Sequence, residues 1–201
     1  MWILLTGAVN VFLLLNPGVP DTLTHLISEA CADGDQDRAA EYFSSAFWVA
    51  SAVTVLTGTI AFLLWNYVDW PTLCHISSKD ASGQTRKAVG LTIILLLCSL
   101  PAGLANRTFA GYQELHVSNC FRGAGGLLSL IIVCIALRYG VGLSQLVASY
   151  AGPVVLAELA SLVWLVGYYK PWIRPRPARA RVVHIHRIMR PMGLWLRTSD
   201  R

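Results

Sequence analysis

Residues 40–65, AEYFSSAFWVASAVTVLTGTIAFLLW, decide the fold, because this long stretch is apolar and its only Asp, Glu, Lys or Arg residue is Glu41. A helix that crosses a bilayer needs about 20 predominantly apolar residues. Small residues such as Ser51 and Gly58 stand between the large ones, and small residues let helices approach closely in lipid. The stretch therefore predicts a membrane-spanning helix.

The rest of the chain has the same character. It has 201 residues, of which 55% are hydrophobic and 13% charged, and its mean hydropathy is +0.53. Soluble domains carry roughly 25% charged residues, so we expect an all-α, polytopic transmembrane bundle. Five spans are predicted, at residues 2–32, 40–66, 88–106, 123–138 and 146–169. Four spans is the alternative if the first segment, interrupted by Pro17 and Pro20, does not cross.

The formal charge of +5 is concentrated after Tyr169. Lys and Arg stay on the cytoplasmic side of membrane proteins, so residues 170–201 predict a basic cytoplasmic tail, and five spans place the N-terminus outside. Anionic lipid headgroups account for these charges, whereas nucleic-acid binding needs aromatic or groove-reading residues among the basic ones. We therefore expect the lipid bilayer, and no nucleic acid, as a partner. Four basic residues fall on the outer face and oppose this orientation: Lys79, Arg86, Lys87 and Arg138.

Nothing in the sequence predicts an enzyme or a cofactor. It has no nucleophile elbow, HExxH motif or phosphate-binding loop. Gly123, Gly125 and Gly126 look superficially like such a loop, but an apolar span follows them, so helix packing is the better interpretation. The five cysteines are widely spaced, with no CxxC pair, and no metal site is predicted.

Glu158 is the clearest functional candidate, because it stands alone inside an apolar span. A carboxylate at that depth costs on the order of 2.5 to 3.5 kcal/mol on insertion scales unless it is paired, neutral or facing water. We expect Glu158 to contact a proton, an ion or a substrate in a cavity. A structural pair with a neighbouring helix is the alternative.

Polar residues in the first span give further candidates. Asp21, His25 and Glu29 are spaced i, i+4, i+8, which places them along one stripe of a helix. Such a stripe lines a hydrophilic cavity or emerges into water at the helix end. Asp21 is also a candidate N-cap for the half-helix that starts after Pro20.

The cytoplasmic end of the third span carries Asn106, Arg107, Gln113 and Glu114. The guanidinium of Arg107 suits a lipid-linked diphosphate, although snorkelling to the headgroups explains it equally well. The predicted cavity residues are Asp21, His25, Asn106, Arg107, Gln113 and Glu158.

Two stretches resemble a known family. Residues 16–30, NPGVPDTLTHLISEA, followed by DGD at 33–35, resemble the second helix and first cytoplasmic loop of bacterial polysaccharide flippases. Residues 100–114, LPAGLANRTFAGYQE, are similar to that family's fourth helix, where a Leu-Pro segment leads to Gly-x-Gln. These flippases belong to the multidrug, oligosaccharidyl-lipid and polysaccharide exporter superfamily. The resemblance extends to about residue 176.

The resemblance implies a transporter of the bacterial inner membrane with two six-helix lobes. Such a protein moves an undecaprenyl-diphosphate-linked oligosaccharide to the periplasmic leaflet by alternating access. The five spans correspond to the family's second to sixth helices, so the chain resembles part of one lobe. Residues 192–201 resemble the beginning of a next helix, which suggests a truncated product that pairs with a second half-transporter or with further copies. The chain departs from the family at Pro20, Asp21 and Leu26, where members often carry Gly, Asn and a basic residue.

Two other functions remain open. A drug/proton exporter of the same superfamily would use a carboxylate such as Glu158 for proton exchange. A non-transporting membrane scaffold would instead use Glu158 and the small-residue faces as an interface with another chain. Complementation of a strain that lacks one of these transporters separates the flippase from the drug/proton exporter. Co-purification with a partner tests the scaffold function.

Overall fold

The computed structural model describes residues 19–65, 67 and 79–176, and these residues are helical almost throughout, with no strand among them. The helices are α1 (Val19–Ala32), α2 (Gln36–Leu64), α3 (Lys79–Gly111), α4 (Leu115–Arg138) and α5 (Leu143–Trp164). A π-helix, Leu165–Tyr169, and a short 3₁₀ helix, Pro171–Ile173, follow α5. The predicted all-α class is confirmed.

Four segments are long and apolar enough to cross a membrane: Gln36–Leu64, Arg86–Gly111, Leu115–Arg138 and Ser144–Tyr169. They correspond to the second to fifth predicted spans, so a multi-pass bundle is confirmed. In the first predicted span, residues 2–18 lie outside the described part. The described part, α1, has 14 residues. At 1.5 Å per residue it rises about 21 Å, less than the roughly 30 Å of a hydrocarbon core.

The helices extend beyond the predicted spans. The third span was predicted at 88–106, but α3 already begins at Lys79 and ends at Gly111. The fourth was predicted from residue 123, but α4 begins at Leu115. Hydropathy marks only the part of a helix that needs lipid. Once a helix has formed, each added residue contributes a hydrogen bond, and polar side chains at its ends are solvated.

Contacts between the helices give their order and direction. Helix α3 packs against α1, α2 and α5, and α5 lies between α3 and α4. Gln84 packs against Gly142, and the rings of Phe109 and Tyr169 are 5.9 Å apart, so α3 and α5 run parallel. Helix α4 runs antiparallel to both of them.

Gly125 makes the closest approach between α4 and α5. A Cβ atom there would lie 2.6 Å from the Ala157 Cβ and 3.1 Å from the Pro153 carbonyl oxygen. Nearby, the Ser129 hydroxyl donates to the Tyr150 carbonyl at 2.7 Å. Helix packing, the interpretation given to the three glycines, therefore holds for Gly125, whereas a Cβ at Gly123 or Gly126 would meet nothing within 4 Å.

The buried core lies at one end of the bundle. Its residues come from α1, the start of α2, the end of α3 and the segment after α5. Over the remaining length, large apolar side chains such as Phe62, Leu127 and Leu156 are exposed. Exposed apolar surface of this extent is typical of a protein that lies in lipid.

Three segments meet at the core end, which we call the basal end: the α1–α2 turn, the α3–α4 turn and residues 170–176. The Lys170 Nζ lies 3.1 Å from a Glu114 carboxylate oxygen, and the Arg176 amide donates to the Ser44 hydroxyl at 3.4 Å. At the opposite end, the far end, the Arg86 guanidinium lies 5.5 Å from the centre of the Trp65 ring.

The beginning of the predicted tail is part of the folded bundle. Ile173 is fully buried in the core and Lys170 is 8% exposed. Apolar side chains such as Ile173 gain from leaving water, and this burial holds the chain against α2. Residues 177–201 of the predicted tail lie outside the described residues.

Candidate functional site

Helices α3 and α4 diverge in front of α5. They are joined by a short turn but make few contacts with each other, whereas each packs along α5. A cleft therefore opens between α3 and α4, with α5 as its floor. We call it the polar cleft, because polar residues from all three helices face it: Asn106, Ser118, Arg122, Glu158 and Ser161.

The contacts of α4 establish which of its residues face the cleft. Ser118 contacts α3, while Gly125 and Ser129 contact α5. Residues three or four positions apart share one face of a helix. Arg122 lies four positions after Ser118 and three before Gly125, and it therefore belongs to the same stripe.

Helix periodicity also shows which α5 residues face the cleft. Ala157 faces α4, and Leu162 packs on the core to which α3 contributes. With 3.6 residues per turn, Ser161 lies about 40° and Glu158 about 100° around the helix from Ala157, in the direction of Leu162. Both residues thus face the sector between α4 and α3.

Asn106 and Ser118 link the two walls of the cleft. The Ser118 hydroxyl donates to the Asn106 Oδ1 at 2.8 Å, and Ser118 is 1% exposed. A buried polar group is stable when it is hydrogen-bonded, so this pair is a satisfied polar contact between α3 and α4.

Glu158 and Arg122 bring opposite charges to the middle of the cleft. Glu158 is half-buried and Arg122 is exposed, and the guanidinium lies within electrostatic range of the carboxyl. Among the described residues, Glu158 has no ion pair within 4 Å. The opposite charges of the two groups attract each other.

Ser161 carries an unsatisfied hydroxyl. The residue is 3% exposed, and its Oγ has no hydrogen-bond partner among the described residues. Serine in a helix commonly donates to the carbonyl four residues back, as Ser45 does to Glu41 at 2.8 Å. An unmade bond of this kind costs about 1 to 3 kcal/mol. Ser161 therefore marks a position where a water or a ligand group would be stabilised.

A buried ion pair stands at the basal mouth of the cleft. The Lys170 Nζ lies 3.1 and 3.2 Å from the two carboxylate oxygens of Glu114 and 3.7 Å from the centre of the Tyr112 ring. Glu114 is the N-cap residue of α4, four positions before Ser118. Glu114, Ser118 and Arg122 therefore form one polar stripe that leads from the basal end into the cleft.

Of the six predicted cavity residues, helix positions assign two to the cleft: Asn106, which accepts from Ser118 at 2.8 Å, and Glu158, which lies within electrostatic range of Arg122. His25 is exposed on α1, and Gln113 is exposed in the α3–α4 turn with a left-handed φ of 60°. Arg107 is half-buried, and its carbonyl accepts from the Thr24 hydroxyl at 3.3 Å. Asp21 lies in α1, with its side chain outside the described part of the structure.

Sequence reasoning missed the other members of the cleft: Ser118, Arg122 and Ser161. A signal was present, because Glu114, Ser118 and Arg122 recur at intervals of four residues and Ser161 follows Glu158 by three. The role of Lys170 was also missed. Its partner is 56 residues away in the sequence, and local spacing gives no information about such a contact.

The cleft suits electrostatic and hydrogen-bond recognition. Arg122 offers a fork of N–H donors for an anion, and Asn106 and Ser161 add polar atoms on α3 and α5. Within the described ranges, no three His, Cys, Asp or Glu residues lie close enough together to hold a metal ion.

No protein-family model, curated protein or solved structure matches the chain.

Proposed function

We propose that the chain is a membrane transporter of the polysaccharide-flippase type, which moves an undecaprenyl-diphosphate-linked glycan across a bacterial inner membrane. One observation carries the proposal: Glu158 and Arg122 face a common cleft inside the membrane-spanning part. Ionisable residues are rare at this depth and commonly mark substrate or ion pathways. The resemblance of residues 16–30 and 100–114 to such flippases gives the substrate class.

The chemistry of the cleft supports an anionic lipid-linked substrate. Arg122 is exposed in the cleft, and a guanidinium binds diphosphate oxygens in a bidentate manner. Toward the basal end, the Asn106 side-chain NH2 group can donate to a sugar hydroxyl, because its Oδ1 already accepts from the Ser118 hydroxyl.

A second chain or a further copy completes the site in this proposal. The described helices α3, α4 and α5 form three sides of the cleft. We propose that a second half-transporter or another copy of the chain provides the remaining side. Co-purification with a distinct partner, without transport, would favour the scaffold function instead.

A proton-coupled exporter of small molecules is the second candidate. The half-buried carboxyl of Glu158 favours it, because a carboxyl group that releases its proton can bind a cation in its place. The two candidates differ in substrate, so a transport assay with a lipid-linked glycan and with a small cationic dye separates them.

The decisive test is translocation by the purified full chain in proteoliposomes. A fluorescent polyprenyl-diphosphate sugar is placed in both leaflets, and its accessibility to a membrane-impermeant quencher is followed over time. Glu158→Gln and Arg122→Gln should each slow translocation by about tenfold or more, since hydrogen bonds to charged groups contribute roughly 1.5 to 3 kcal/mol.

Matched controls come from the basal surface. Arg38→Gln removes a guanidinium whose side chain is 47% exposed and paired with Asp33, and Glu29→Gln removes an exposed carboxylate of α1. Neither variant should change the rate. Folded wild-type protein that moves no lipid-linked glycan, either alone or together with any partner that co-purifies with it, would refute the proposed function, and equal loss in control and cleft variants would refute the role of the cleft.

A further inference from the structure

We infer that the Lys170–Glu114 ion pair is a latch, which closes the basal mouth of the polar cleft to water. This inference concerns access to the cleft. It is independent of whether the cleft transports a substrate, and its test uses no transport assay.

The latch holds down a defined segment, the strap, which consists of residues 170–176. Lys170 anchors its start through Glu114 and through the Tyr112 ring. Ile173 anchors the middle by complete burial, and the Arg176 amide anchors the end on Ser44 of α2. The strap thus crosses the basal end from the α3–α4 turn to α2.

The position of Glu114 puts the latch over the cleft. Glu114, Ser118 and Arg122 follow one another along one face of α4 at intervals of four residues. Each interval is about 6 Å at 1.5 Å per residue. Water that enters along this stripe from the basal end meets Glu114 first, then the Ser118–Asn106 pair, and then Arg122 and Glu158.

Burial of both charges makes the contact suited to switching. The side chains of Lys170 and Glu114 are 10% and 26% exposed. A pair in such surroundings gains attraction but loses hydration, and the two effects are of similar size. The closed state, with the charges paired, and an open state, with both charges hydrated, can therefore lie close in free energy.

The chain preceding the latch provides a place to bend. Leu165–Tyr169 forms a π-helix, and the Lys170 amide donates to the Leu165 carbonyl at 2.8 Å. Such π-helical turns are rare and interrupt the regular hydrogen-bond ladder of an α-helix. Lifting Lys170 would break the last bond of this irregular turn and leave α5 itself intact.

The test measures water access to Ser161 by cysteine labelling. Ser161→Cys is introduced into the full chain with its native cysteines replaced, and the protein is reconstituted in nanodiscs. The rate of reaction with a small membrane-impermeant methanethiosulfonate is then measured. Lys170→Met removes the charge but keeps an apolar side chain, and it should raise the rate by about tenfold or more, as expected when one partner of a buried pair is lost.

Two further variants make the result specific. Glu114→Gln should raise the rate in the same way. The exchange Glu114→Lys with Lys170→Glu restores the pair and should return the rate toward that of the parent. Arg38→Gln, which breaks an exposed ion pair at the same end, should leave it unchanged.

The alternative is that the Lys170–Glu114 ion pair stabilises the fold without controlling water access to the cleft. In that case Lys170→Met lowers the melting temperature while the labelling rate of Ser161→Cys stays constant, and the latch is refuted. Leu127→Cys tests a lipid-facing position. If Lys170→Met accelerates labelling there as much as at Ser161→Cys, the whole bundle has loosened and the latch is also refuted. If Lys170→Met does not fold, Glu114→Gln and the charge exchange decide by the same rates.

Discussion

Among single residues, Tyr112 shows how packing at the basal end changes the protonation of a side chain, here its phenol. Burial raises the pKa of its phenol above the ordinary value of 10.0 and outweighs the opposite effect of the nearby Trp172 side chain. The charges of Cys31 and Glu114 act in the same direction as burial. The folded state therefore favours the neutral phenol more strongly than the unfolded state does.

This preference predicts a pH dependence of stability. The contribution of Tyr112 is complete below pH 10, the ordinary pKa, and is lost as the pH rises through the higher pKa of the folded state. Thermal unfolding of the wild type and of Tyr112→Phe, compared between pH 8 and pH 11 (about two units below and one above that pKa), should show a greater decline for the wild type above pH 10. Phenylalanine keeps the ring beneath Lys170, so the difference isolates the hydroxyl.

Tyr67→Phe is the control for removal of an exposed phenol, because Tyr67 is 87% exposed. Its curve should follow that of the wild type over the whole range. A Tyr112→Phe curve that also coincides with the wild type would mean that the phenol ionises equally easily in both states.

Residue type and position in the sequence predict the environment of Glu158 but not that of Lys170. A carboxylate in an apolar span has to meet a polar environment, and Glu158 does face Arg122 across the cleft. Lys170 was predicted to start a basic cytoplasmic tail, yet its side chain is nearly buried in the bundle. Its environment depends on Tyr112 and Glu114, which the fold brings close and the sequence keeps far apart.

At the scale of helices, the pair Gly125 and Gly126 allows a direct test of packing. A Cβ at Gly125 would lie 2.6 Å from the Ala157 Cβ, whereas one at Gly126 would meet nothing within 4 Å. Gly125→Ala should therefore force α4 away from α5 and destabilise the protein by about 1 to 3 kcal/mol. Unfolding in mixed micelles by increasing SDS measures this loss.

Gly126→Ala is the matched control, one residue away in the same helix. It should be neutral or stabilising by up to about 1 kcal/mol, because alanine favours helix more than glycine does. Equal destabilisation by both substitutions would contradict the close approach of α4 and α5 at Gly125.

The existence of the long helices could be predicted from sequence, but their ends and contacts could not. Residues 40–65 are apolar over a full bilayer crossing, and any fold has to bury them in lipid or protein. The divergence of α3 from α4 depends on tertiary contacts, and the polar start of α3 at Lys79 lies outside the apolar stretch that hydropathy detects. The cleft arises from that divergence, which hydropathy does not report.

At the scale of the whole molecule, the two ends of the bundle differ in their charged residues. Of the basic residues in the described part of the chain, the basal end has five, which are Arg38, Arg107, Lys170, Arg174 and Arg176, while the far end has four, which are Lys79, Arg86, Lys87 and Arg138. Since Lys and Arg favour the cytoplasmic side, this difference predicts a cytoplasmic basal end. The difference is small, and a direct measurement of topology is therefore informative.

Cysteine labelling in oriented vesicles makes that measurement. Cys31 is exposed at the basal end, and Tyr139, which is 81% exposed, caps α4 at the far end. In single-cysteine proteins, Cys31 should react with an impermeant maleimide only in inside-out vesicles, and Tyr139→Cys only in right-side-out vesicles. The reverse pattern would place the basal end outside, and labelling of both positions from one side would show that α2, α3 and α4 do not all cross the membrane.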